Sequence, residues 1–109
     1  MSKSAFFGTC LLVASSQVSA YDTGTLTCER IGELAATTLA AKQSGTAAGA
    51  SLAALTDQFA PDARVERKLV SNINNMIYQN DLIVAMKPGD AYMVFMRDCM
   101  NGRDWDRMR

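Results

Sequence analysis

Histidine is absent from the 109-residue sequence. That removes the commonest zinc ligand and the side chain best suited to acid–base catalysis near neutral pH. Proline occurs only twice, at Pro61 and Pro88, and each falls where a helical pattern stops or starts. No sequence matches a phosphate loop, a calcium loop or a nucleophile elbow, and there are no internal repeats. Net charge is also missing: eleven basic residues face eleven acidic ones, so nothing pulls the chain towards nucleic acid or an anionic membrane. The longest apolar stretch falls short of the roughly 20 residues a membrane span needs. No metal and no cofactor is expected.

The first twenty residues read as a secretory signal peptide. Lys3 supplies the positive start, 5–13 form an apolar segment, and Val18-Ser19-Ala20 is a small-x-small cleavage signal. Cleavage there would leave a chain starting at Tyr21, with ten basic residues (the eleven less Lys3) against eleven acidic and a net charge of −1. Cys10 lies inside the apolar segment and leaves with the peptide. Two cysteines remain, Cys28 and Cys99, and an even count in an exported chain favours a disulfide.

Both cysteines lie in helical patterns, which sets a geometric condition. Packed helix axes are about 8–10 Å apart and each Cα sits about 2.3 Å off its axis, so facing cysteines approach to about 5.5 Å, within disulfide reach. The facing seams read Cys28, Ile31, Gly32, Ala35 and Leu39 on the first helix and Tyr92, Phe95 and Cys99 on the last. Gly32 is costly in mid-helix and is expected to mark close helix packing, with a hinge as the alternative.

Between the seams, the first helix runs from a cap at Thr25 or Thr27 to Ser44, with Gly45 as its stop. Residues 44–50 read as a flexible connection. A short helix follows from a Ser51 cap to Phe59, with Leu52, Leu55 and Phe59 on one face. A third helix over 62–79 carries the clearest stripe: Val65, Leu69, Ile73 and Met76, widened by Val70 and Ile77. The run 82–86 is an extended segment or an added helical turn, which periodicity does not decide. Pro88 opens the last helix, which stops at Asn101-Gly102. The expectation is an all-α fold, a small bundle of about four helices over 21–102 with its first and last helices joined by the disulfide, followed by a charged tail at 103–109.

Three candidate sites arise. The last helix carries more apolar surface than one seam uses, so Met93, Val94 and Met100, with Trp105 beyond them, are candidates for partner contact. All six methionines after Met1 lie in the second half of the chain, and flexible thioethers suit adaptable surfaces. Arg64, Arg67 and Lys68 form a candidate anion-binding patch, although Asp62 and Glu66 lie close by. Glu29 and Glu33, one turn apart, are the nearest approach to a carboxylate pair, yet acids belong at a helix start on dipole grounds. No catalytic residue is expected.

Cys28-x-x-Ile31-Gly32-x-x-Ala35, Lys42-x-x-Gly45, Tyr78 and Phe95-x-x-x-Cys99 together resemble a group of small exported proteobacterial proteins of unknown function. The resemblance implies an all-helical, periplasmic, disulfide-linked domain and brings no catalytic residues. In size, export signal and single disulfide the chain is also similar to the periplasmic acid-stress chaperones. The expected function is therefore a non-enzymatic periplasmic domain that binds another protein, or a second copy of itself, and neither nucleic acid nor membrane. A protective protein (stress chaperone, immunity factor or inhibitor) is the alternative, and a small hydrolase the reading from a different class.

Overall fold

The Thr27 hydroxyl decides where the first helix starts. Its Oγ1 accepts the Arg30 N–H at 3.0 Å, pairing one of the donors that every helix N-terminus leaves free, and α1 runs from there over Cys28–Gln43. In the computed structural model, which describes residues 22–102, the chain continues through α2 (Ala48–Thr56), α3 (Arg64–Gln79), a 3-10 turn (Ile83–Ala85) and α4 (Pro88–Met100). No strand occurs among the described residues, and the all-α bundle of four helices is as expected. The signal-peptide segment 1–20 and the tail 103–109, with Trp105, lie outside the described residues.

Polar contacts between elements fix the helix directions. Thr25, just before α1, bonds to Glu66 in the first turn of α3, and Lys42 at the end of α1 reaches Ile77 and Tyr78 at the end of α3, so α1 and α3 run parallel. Asn74 bonds to Ala48 and Arg67 to Thr56, which sets α2 antiparallel to α3. The Cys28–Cys99 bond and the Gln43–Met86 hydrogen bond set α4 antiparallel to α1. Helix α1 packs against all three other helices, most extensively against α4 and least against α2. Its buried residues accordingly exceed one stripe: Ile31, Gly32, Leu34, Ala35, Thr38 and Leu39. Thr38 turns its hydroxyl back to the Leu34 carbonyl at 2.7 Å, which pairs the one polar group on that surface.

The disulfide joins α1 to α4 with a Cα–Cα distance of 5.5 Å, as directly facing helices require. On the expected seams every residue is buried except Cys28 and Tyr92, which are half-buried. Gly32 permits the approach: a Cβ there would lie 2.8 Å from the Tyr92 carbonyl oxygen and 2.9 Å from its ring. The glycine serves closeness.

Two helix starts are corrected, and one open alternative is decided. Helix α2 begins at Ala48, not Ser51, because Ala48 and Ala50 are strong helix formers; the connection shrinks to a turn, and Ser51 is a buried residue inside the helix instead of its cap. Asp62 precedes α3 in a turn, its carbonyl accepting the Arg64 N–H at 2.8 Å, so the helix starts two residues late. The run 82–86 takes the second of its two expected forms, an added helical turn. It forms the 3-10 turn, from which Ile83 and Met86 pack against the core, and the Gln43 amide donates to the Met86 carbonyl at 2.6 Å.

Candidate functional site

Helix α4 lies at the edge of the bundle, packed on α1. Ala91, Phe95 and Cys99 turn inwards, and the opposite side carries Met93, 49% exposed, and Met100, 68% exposed. Seven residues apart, these two fall within about 20° of each other around the helix and about 10.5 Å apart along it. Val94 is half-buried and packs against the core, so of the partner-contact candidates on α4 only the two methionines share the outer face. Leu82, before the 3-10 turn, is 85% exposed. These three are the exposed large hydrophobic residues among those described.

The basic residues of α3 are divided between different tasks. Arg67 donates through Nη1 to the Thr56 and Phe59 carbonyls, both at 3.1 Å, which braces the turn that follows α2. Arg64 and Lys68 line an open depression of about 620 Å³ together with Gly24, Asp62, Val65 and Glu66. Two acids stand among these two bases, so the depression has no surplus of positive charge. Glu29 and Glu33 are not part of it. Glu33 pairs with Arg30 at 3.2 Å, and Arg30 also bonds to Gln58. Among the described residues no group of three acids, cysteines or histidines is placed to hold a metal ion.

Glu66 is the residue that the sequence reading underrated. It sits on the buried stripe, three, four and seven residues before Leu69, Val70 and Ile73, and that spacing was the available signal. Its Oε2 accepts the Thr25 N–H at 2.7 Å and the Thr25 hydroxyl at 2.8 Å, tying the segment before α1 to α3. Gly24 allows this, since its φ is +60° and a Cβ there would lie 2.4 Å from the carboxylate. The two Thr25 donors hold the Glu66 carboxyl below its ordinary value of 4.5. A carboxyl with a depressed folded-state pKa stabilises the fold above its unfolded value and loses that contribution as pH falls through the folded one. The melting temperature is therefore expected to fall on going from about pH 6 to about pH 3, and to fall less in Glu66→Gln, which has no proton to gain. Equal falls in both proteins would show that other carboxylates dominate.

Lys42 and Tyr78 form a second tether at the other end of the bundle. Lys42 Nζ donates to the Ile77 and Tyr78 carbonyls at 2.9 and 3.2 Å and stands 5.8 Å from the Tyr78 ring. The Tyr78 hydroxyl donates to the Thr46 carbonyl at 2.7 Å. The lysine thus caps α3 and not its own helix.

No protein-family model matches the chain, and no curated protein or solved structure matches it. The disulfide belongs with an oxidising compartment, and among the described residues no helix is long and apolar enough to cross a membrane.

Proposed function

We propose that this chain is an exported, non-enzymatic protein-binding domain of the periplasm, which engages its partner through the outer face of α4 and the neighbouring 82–86 turn. One observation carries the reading: Met93 and Met100 stand exposed on one face of a helix whose other side already fills the core. Exposed methionine is well suited to this role, since an unbranched thioether adapts to different surfaces. The ionisable groups support it by contrast. Among the ionisable groups of α3, Glu66 is committed to Thr25 and Arg67 to the segment from Thr56 to Phe59. The export signal at 1–20 and the disulfide together support the periplasm as the compartment.

The test uses Met93→Glu and Met100→Glu. Each is a surface change outside any ion pair, so Met93→Glu is expected to move stability by no more than about 0.5 kcal/mol, and Met100→Glu by up to about 1 kcal/mol, because its acid falls at the C-terminal end of α4 beside the Asn101 cap. Capture of a partner by the mature protein from periplasmic extract, read by mass spectrometry against the wild type, is expected to disappear. A stability loss of about 3 kcal/mol or more would mean the charge had been forced into the core, and the contact surface would have to be abandoned.

A further inference from the structure

The outer face of α4 has a charge pattern that is complementary to itself. Asp90 and Arg97 are both exposed, and neither forms an ion pair among the described residues. Like the two methionines they are seven residues apart, so they too fall within about 20° of each other, on one flank of Met93. The face thus carries an acid near its start, a base near its end, and an apolar centre.

We propose that this face binds a second copy of this chain, α4 against α4, antiparallel about a two-fold axis. This inference rests on the reading of the α4 face as a contact surface and names its partner. A two-fold axis perpendicular to the helix and level with the midpoint between Met93 and Val94 brings Asp90 level with Arg97 of the other copy. It leaves both on the same flank, so two equivalent ion pairs form at once. Met93 then meets its own counterpart at the axis. Met96 and Met100 extend towards Gly89 of the other copy, where a side chain is lacking and a Cβ would meet nothing within 4 Å. A parallel arrangement would instead leave each Asp90 level with its own counterpart on the opposite flank, and each Arg97 likewise, so neither ion pair would form.

The contact is a single short helix, well under the roughly 800 Å² per partner of a standard interface. Association is therefore expected to be weak, with a Kd on the order of 100 µM. Sedimentation equilibrium on the mature, oxidised protein between about 10 µM and 1 mM reads it. Asp90→Arg and Arg97→Asp each place like charges opposite one another twice, and each is expected to weaken association about tenfold or more. The double variant Asp90→Arg/Arg97→Asp restores the pairing and is expected to return within about threefold of wild type. All four residues of the pattern are solvent-facing, and thermal melts of each variant check that the fold is intact. Should Asp90→Arg disturb the helix start, where an acid is favoured, Arg97→Glu tests the same pair from the other end.

A wild type that stays monomeric at about 1 mM overturns the inference. So does association that neither single change weakens, or that the double change fails to rescue. The wider reading fails differently: a monomer that still captures another protein in a Met93-dependent way loses only the self-association.

Discussion

Cys99→Ser is expected to cost about 4 kcal/mol and to melt far below wild type. The Cys28–Cys99 bond closes a loop with a sequence separation of 71, which in the chain-entropy account stabilises by about 4 kcal/mol. A domain of this size has only about 5–13 kcal/mol in total at typical per-residue values. The native contacts change little, since one sulfur becomes one oxygen at a site 8% exposed, so most of the loss arises in the unfolded chain, which gains freedom. Two measurements separate the causes. Urea denaturation of Cys28→Ser/Cys99→Ser, which carries no lone thiol after the signal segment, should show a midpoint far below wild type together with a steeper denaturant dependence, because the unlinked unfolded chain exposes more surface. A cooperative melt within a few degrees of the parent protein would mean that helix packing alone sustains the bundle.

Gly32→Leu is expected to cost about 3 kcal/mol, and Gly32→Ala about 1 to 2. Alanine is the better helix former by about 1 kcal/mol, so on local grounds the second change should stabilise. The contact decides otherwise. The atom nearest an added Cβ is the Tyr92 carbonyl oxygen at 2.8 Å, which belongs to the α4 backbone and has no rotamer to retreat into. One turn away the disulfide holds the same two helices at 5.5 Å, which prevents them from parting at that end. The changes are read by urea denaturation of the oxidised protein, and a more stable Gly32→Ala would show that α4 stands further from α1 than described.

The seam between α1 and α4 was legible because three kinds of signal agreed on it: the cysteine count, the three-and-four spacing around Gly32 and Phe95, and the helix-start residues Thr27, a cap, and Pro88, a first helical position. The start of α2 was not. Ser51 resembles a cap by residue type, yet Ala47 holds the cap position with φ −67° and ψ 150° and no side-chain bond. Propensity summed over the alanines outweighed a single polar residue. Lys42 lies in the last turn of α1, but its hydrogen-bond partners are 35 and 36 residues away on another helix, beyond any local pattern. Glu66 was concealed by its type, since an acid between Val65 and Arg67 reads as solvated until Thr25, 41 residues earlier, supplies its two donors. The apolar excess of α4 could be counted from the sequence, but the division between Val94, turned to the core, and Met93, turned out, needed the position of α1.

The disulfide also determines how the molecule carries tension. Cys28 and Cys99 lie at the outer ends of α1 and α4, with Cα atoms 5.5 Å apart, so a pull applied at residues 22 and 102 passes from one cysteine straight to the other through the sulfur bridge. The four helices hang from this bridge as a side loop outside the load path. Only the short stretches outside the ring, including the Glu66 tie to Thr25, feel the force. A cut in any of the inter-helix turns likewise leaves both pieces covalently joined, so oxidised protein resists mechanical extension and dispersal by a single cleavage, and the reduced chain does neither.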